Sequence, residues 1–130
     1  MGLVTAVVML ALIEYFIFSL QVGQARGRFE VPAPATTGND HFERYFRAAA
    51  NTGEQLLMFI PGMFAFGWYV NAIGAAVLGL VFIAARAVYF KTYTADAQKR
   101  GPGMIGSVVA NAILVIGGLI GALVSLKAGV

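Results

Sequence analysis

The chain has 130 residues, of which 59% are hydrophobic and 12% are charged, and it contains no cysteine. A soluble domain is about half apolar, so this excess, with a mean hydropathy of +0.79, predicts a membrane protein. The net charge is +3 and the cations lie beside apolar runs, which argues against nucleic acid and favours lipid headgroups or a small anion as partners. Without cysteine, a disulfide, a thiolate nucleophile and a cysteine metal site are excluded, and any reacting thiol must come with a ligand.

Four apolar runs follow one another along the chain, separated by polar segments. They predict transmembrane helices over residues 2–22, 47–69, 72–90 and 104–126. Each run is long enough to cross a bilayer core, which takes about 20 apolar residues. Positive charge follows the first run rather than preceding it, so we expect a retained helix and not a cleaved signal peptide. The expected fold is an all-α membrane protein: a single domain, residues 1–130, that forms an antiparallel bundle of four transmembrane helices.

The positive charges are expected on one side of the membrane. With four spans, the loops after the first and third helices share a side, and all but one of the nine Lys and Arg residues fall in or beside them. These eight are Arg26, Arg28, Arg44, Arg47, Arg86, Lys91, Lys99 and Arg100. The positive-inside rule then makes that side cytoplasmic and places both termini outside. The compact loops favour a bacterial inner membrane.

A polar stripe enters the second predicted helix. Its members are Glu43, Arg47, Asn51 and Glu54. Their spacings of four, four and three residues place them on one face of a helix. One interpretation is a salt-bridge ladder that satisfies itself within the protein. The other is a ligand site, since ionisable residues inside a span usually mark function, and Asn51 can both donate to and accept from a ligand.

A second polar face is expected near the end of the third helix. Its members are Arg86, Tyr89, Tyr93 and Arg100. If the helix continues to Arg100, they fall within about 60° of one direction. They form either an interfacial anchor of Tyr and Arg or a binding face for an anionic ligand. In a binding face, Arg47 or Arg86 would pair with a carboxylate, and Arg100 would hold a nearby anion such as a thiolate.

Two isolated ionisable residues remain. Glu14 lies in the middle of the first span, where it is either a proton-coupling carboxylate or a buried, hydrogen-bonded structural residue. His41 has no second His and no Cys to join it, so no metal site is expected. A small four-helix multidrug transporter with Glu14 as its proton site is one alternative function. It predicts a dimer with balanced loop charge, unlike the one-sided distribution here.

Residues 42–54 read FERYFRAAANTGE and contain the pattern ERxxRAxxNxxE. This pattern resembles the signature of the MAPEG family, the membrane-associated proteins of eicosanoid and glutathione metabolism. Further segments look like that family in the same order and with nearly the same spacing, at residues 19–26, 36–38, 85–93 and 97–100. The resemblance therefore extends over most of the chain.

The resemblance implies a homotrimer that binds glutathione in a cytoplasm-facing site between four-helix subunits. The glutathione-binding residues that it implies are Arg26, Arg47, Asn51, Glu54, Arg86, Tyr89 and Tyr93. It gives Arg100 the catalytic role of stabilising the thiolate. Glutathione would be the co-substrate, and its thiolate would attack a lipophilic electrophile or reduce a lipid hydroperoxide. The implied function is that of a membrane-bound glutathione transferase or peroxidase.

The chain departs from the family pattern at three positions. Ala49 and Gln55 stand where members carry a Gln and a Tyr that contact glutathione, which predicts a different pose or weaker binding. Gly27 stands where a second arginine is proposed as a catalytic acid, which argues against leukotriene-type epoxide opening. A non-catalytic lipid-binding or adaptor member of the family is therefore the main alternative. The presence of Arg47 and Glu54, by contrast, favours the enzymatic branch of the family over its non-enzymatic members.

Overall fold

The computed structural model describes residues 1–129, which form four long α-helices and one short 3-10 helix. The long helices are α1 (Gly2–Arg28), α2 (Asp40–Tyr69), α3 (Ala72–Ala95) and α4 (Gly101–Lys127), and the 3-10 helix is Ala97–Arg100. No strand occurs in this part of the chain. The predicted all-α bundle is confirmed.

Three of the long helices are long and apolar enough to cross a membrane by length and composition: α1, α3, and α4 together with the 3-10 helix before it. The first half of α2 instead carries the charged residues of the predicted stripe. Large apolar side chains cover the outside of the bundle, including Leu57, Trp68 and Ile73, which are between 68% and 77% exposed. Such a surface suits lipid better than water. The fourth span, over α2, stays a prediction.

The second helix begins at Asp40 rather than at residue 47, because the chain supplies a cap there. Asn39 has an extended backbone, and its side-chain oxygen accepts a hydrogen bond from the backbone N–H of Phe42 at 3.0 Å. Such a cap satisfies one of the N–H groups that the first turn leaves without a partner. The extra turns bring Arg44 to the end of α3, where its Nε donates to the carbonyl oxygen of Thr94 at 3.2 Å.

The third helix ends at Ala95 and does not continue to Arg100, so Arg100 lies on a separate element from the rest of the predicted second polar face. Asp96 takes an extended backbone, and its carboxylate accepts a hydrogen bond from the N–H of Gln98 at 3.0 Å. This cap starts the 3-10 helix. The fourth helix begins at Gly101, three residues before the predicted span at residue 104. Pro102 fits there, since proline has no N–H and the first turn of a helix needs none.

Close packing stabilises the bundle, because lipid tails are as apolar as the side chains and the hydrophobic effect therefore does not drive helices together within a membrane. In the middle of the bundle the rings of Phe59 and Phe82 stack with centroids 4.1 Å apart. A Cβ atom on Gly79 would come within 2.5 Å of Val7, so glycine lets α1 and α3 approach closely there. A second apolar cluster, around Phe18, includes Tyr89, and Tyr93 packs against it.

Candidate functional site

Arg86 lies at the centre of the candidate site, on α3, and its side chain is 0% exposed. Its Nε and Nη2 donate to the hydroxyl oxygen of Thr52 at 3.2 and 2.9 Å, and Nη2 also donates to Asn51 Oδ1 at 2.8 Å. The guanidinium carbon lies 4.1 Å from the centroid of the Tyr89 ring. A buried guanidinium is tolerated when its N–H groups find acceptors and its plane finds an aromatic face. Arg86 thereby joins α3 to α2.

Tyr89 and Tyr93 continue this polar face toward the end of α3. Their rings stack with centroids 5.4 Å apart. On the other side of Tyr89 lies the first turn of α4, where a Cβ on Gly103 would come within 2.5 Å of the Tyr89 backbone nitrogen. Helices α3 and α4 therefore approach each other closely at Tyr89, at a point where only glycine fits. We call Asn51, Arg86, Tyr89 and Tyr93 the inner set.

Three other predicted ligands are exposed, unlike the buried centre of the inner set. Arg47 and Glu54 belong to the same stripe of α2 as Asn51, but both are exposed. Arg100 is exposed on the 3-10 helix, where its Nη1 donates to the carbonyl oxygen of Ala97 at 3.0 Å. The charges of Arg47 and Arg100 nevertheless lie within electrostatic range of the Tyr89 hydroxyl. We call Arg47, Glu54 and Arg100 the outer set.

Arg26, the remaining predicted ligand, makes hydrogen bonds to the segment that connects α1 and α2. Its Nη1 donates to the carbonyl oxygen of Ala35 at 2.6 Å and to that of Val31 at 3.4 Å. Its guanidinium carbon also lies 4.8 Å from the centroid of the Phe42 ring. Arg26 therefore fastens the connection between α1 and α2 onto the first turns of α2. Helical spacing could not predict this role, since two of the partners are backbone carbonyls of a loop.

Thr52 is a site residue that the sequence reasoning missed. Its hydroxyl donates to the carbonyl oxygen of Ala48 at 2.9 Å, which leaves the oxygen lone pairs to accept from Arg86. Threonine is common within spans for this kind of local bond, and nothing in its spacing marks it as a partner of arginine. The available signal was its position beside Asn51, on the side of α2 that turns toward α3.

The three positions where the chain departs from the family pattern have different surroundings. Gln55 is tied to α4, because Asn111 Nδ2 donates to its Oε1 at 2.8 Å and to its backbone oxygen at 3.2 Å. Ala49 is buried and lines a groove of about 310 Å³ between α1 and α2. Gly27 is in open space, with no atom within 4 Å of the place a Cβ would take. The space that a larger side chain at position 49 would fill is thus part of an apolar groove.

Comparison with known proteins identifies the family. Residues 4–120 match the MAPEG family model. Human microsomal glutathione S-transferase 2 is 41% identical over 119 residues, which cover 92% of this chain and 81% of that protein. Bovine leukotriene C4 synthase is 37% identical over 114 residues, covering 88% of this chain and 76% of the synthase. An uncharacterised protein of the cyanobacterium Synechocystis is 40% identical over 126 residues, covering 97% and 90%.

The family match extends over nearly all of the helical bundle, including every residue of the inner and outer sets. It agrees with three apolar helices of membrane-crossing length and with a bundle whose outer surface is apolar. The resemblance seen in the sequence is confirmed, and the chain is an integral membrane protein that belongs to the MAPEG family.

Proposed function

We propose that this protein is a membrane-bound enzyme that activates the thiol of glutathione for attack on lipophilic electrophiles. Two relatives that match over most of the chain are named for glutathione transfer and for leukotriene C4 synthesis. The observation that carries the proposal is the inner set. A fully buried arginine fixes Asn51 and faces a stacked pair of tyrosines, beside exposed Arg47 and Glu54.

The two sets offer what glutathione needs, which is partners for two carboxylates, one ammonium group and two amides. Arg47 can pair with a carboxylate through two parallel hydrogen bonds, and Glu54 can accept from the ammonium group. Asn51 Oδ1 already accepts from Arg86. Its amide nitrogen is therefore oriented to donate to a carbonyl or carboxylate of the ligand.

Arg100 is the residue proposed to act on the thiol. A guanidinium beside a thiol stabilises the thiolate and lowers the pKa of the thiol, which raises the fraction of the reactive form at neutral pH. Arg100 is suited to this because it is exposed, and its hydrogen bond to Ala97 uses a single guanidinium nitrogen, Nη1. Its charge lies within electrostatic range of the Tyr89 hydroxyl, which supports a role beside the inner set.

The thiolate supports two reactions. With a lipophilic electrophile, the sulfur forms a bond to carbon and the leaving group departs with the electrons of the broken bond. With a lipid hydroperoxide, two glutathiones give the disulfide, an alcohol and water. Both need the same binding residues and the same thiolate, so the peroxidase activity is a second outcome of one site.

We also propose a homotrimer with the site between subunits, open to the cytoplasm of a bacterial cell. Exposed Arg47 and Glu54 support the assembly, because charged side chains on a helix predicted to enter the membrane need a ligand or a neighbouring subunit to cover them. The orientation rests on the one-sided distribution of Lys and Arg. A bacterial origin agrees with the cyanobacterial relative.

The test is glutathione-dependent conjugation of a chlorinated dinitrobenzene by the purified protein, with Arg100→Ala as the key variant and Lys99→Ala as its matched control. Lys99 is an exposed cation on the same 3-10 helix. We expect Arg100→Ala to lose about a hundredfold in turnover, as for removal of one group that stabilises the reacting anion, and Lys99→Ala to keep nearly all of it. Equal loss in both variants would contradict the role of Arg100. A wild type that binds glutathione but never conjugates would favour the adaptor function.

A further inference from the structure

The hydrogen bonds of Arg86 leave one of its nitrogens without a partner. Nε and Nη2 donate to α2, and the Tyr89 ring covers one face of the guanidinium. Nη1 is buried and has no hydrogen-bond partner among residues 1–129. An unpaired N–H on a buried cation is costly, and the cost is greater in a bundle surrounded by lipid. This nitrogen needs an acceptor, and a negative charge would serve best.

One buried carboxylate oxygen among residues 1–129 is, conversely, an acceptor without a donor. Glu14 Oε1, on α1, is buried and also lacks a hydrogen-bond partner in the part of the chain that the structure describes. Glu14 is the sole acidic residue in the sequence of α1. It lies close enough to Arg86 for the two charges to attract each other.

The register of α1 against α3 places these two residues at the same level. Toward one end of the bundle, Val7 lies against Gly79. Toward the other end, the rings of Phe18 and Phe90 stack with centroids 4.1 Å apart and planes within 5°. In both pairs the α3 residue follows the α1 residue by 72 positions, so the helices run parallel in constant register. The same offset pairs Glu14 with Arg86, one helical turn from the stacked rings.

We propose that Glu14 is the counter-charge of Arg86 and a positioning residue for glutathione. It attracts the guanidinium from the α1 side, while Thr52 and Asn51 accept from it on the α2 side. Arg86 is then held between two helices in one orientation, and Asn51 is held with its amide nitrogen turned to the ligand. Glu14 does not touch glutathione in this arrangement. The positioning role rests on the proposed function, whereas the charge pair does not.

Binding measurements test the positioning role. We expect Glu14→Leu to weaken glutathione binding by about tenfold, the equivalent of one charge-assisted hydrogen bond, while turnover at saturating glutathione changes little. Glu14→Gln keeps an acceptor oxygen and should recover most of the affinity. The matched control is Thr5→Val, an exposed residue of α1 whose hydroxyl donates to the carbonyl oxygen of Met1. Wild-type affinity in Glu14→Leu would overturn the positioning role, and so would equal loss in Glu14→Leu and Glu14→Gln.

A double-mutant cycle tests the charge pair without using glutathione. Glu14→Leu and Arg86→Leu should each lower the thermal midpoint of the purified protein, since each leaves one charge buried alone. The double variant should be at least as stable as the less stable single variant, because neither charge remains. Simple addition of the two losses would show that the residues do not interact. Should Glu14→Leu fail to fold, the cycle is repeated with Glu14→Met, which also removes the carboxylate and leaves no acceptor oxygen.

The two measurements separate the failure of the pair from the failure of the proposed function. If the wild type does not bind glutathione, the proposed function and the positioning role are both wrong, and the cycle still decides whether Glu14 and Arg86 form a pair. If glutathione binds but the cycle shows addition, the function stands and the pair is wrong.

Discussion

The inner and outer sets of the candidate site differ in how many of their polar groups find partners within one chain. Arg86 and Asn51 are bonded to each other, and Tyr89 packs against both Arg86 and Gly103. Arg47 and Glu54 are exposed on the same helix that carries Asn51. The inner set is therefore organised before any ligand arrives, whereas the outer set needs a ligand or a neighbouring subunit. Changes in the inner set should cost stability and binding together, and changes in the outer set should cost binding alone.

The largest effect is expected at Gly103. A Cβ there would come within 2.5 Å of the Tyr89 backbone, which cannot move as a side-chain tip would. Gly103→Ala should lower the free energy of unfolding by about 3 kcal/mol, the upper range for overpacking, and should also reduce glutathione binding. Gly101→Ala is the matched control, because nothing lies within 4 Å of its Cβ position. Equal stability of the two variants, measured by thermal unfolding, would contradict the close packing of α4 on Tyr89.

A smaller effect is expected at Thr52. Thr52→Val preserves the shape but removes the oxygen that accepts from Arg86 Nε and Nη2. Loss of an acceptor from a buried donor should cost about 2 kcal/mol of stability and weaken glutathione binding several-fold through Arg86. Thr52→Ser retains the oxygen and should behave like the wild type. If the serine and valine variants have the same affinity and the same thermal midpoint, the hydroxyl does not hold Arg86.

The smallest effect on stability is expected in the outer set. Arg47→Ala should change the free energy of unfolding by less than about 0.5 kcal/mol, since the side chain is exposed. It should nevertheless weaken glutathione binding by about tenfold, as expected for a lost carboxylate pairing. Lys91→Ala, which removes another exposed cation, from the end of α3, is the control. Calorimetric titration of both variants would show whether Arg47 contacts the ligand. Unchanged affinity in Arg47→Ala would remove it from the site.

The sequence predicted the helices well because long apolar runs and membrane thickness leave few alternatives. It did not predict the ends of the helices, where one polar side chain decides the outcome. The cap formed by Asn39 starts α2 before the predicted span. The cap formed by Asp96 separates α3 from the 3-10 helix that carries Arg100. Caps of this kind depend on the local backbone and interrupt no hydrophobic pattern.

The candidate site was predictable in part for the same reason. Spacing on a helix grouped Asn51 with Arg47, and Arg86 with the two tyrosines, but it could not show which side chains face each other across helices. The bond from Arg86 to Asn51 joins the two predicted faces. The contacts of Thr52 and Arg26 were missed because one depends on helix packing and the other on loop carbonyls. The trimer is implied by the family and stays a prediction.

The central claim is that the protein holds glutathione as a thiolate beside Arg100. Ultraviolet difference absorbance of the purified protein at saturating glutathione measures the thiolate directly. We expect a thiolate signal at neutral pH in the wild type, its loss in Arg100→Ala, and glutathione affinity within about threefold of the wild type in that variant, because the other ligands remain. A wild type that binds glutathione without a thiolate signal, or an Arg100→Ala variant that keeps the full signal, would contradict the claim.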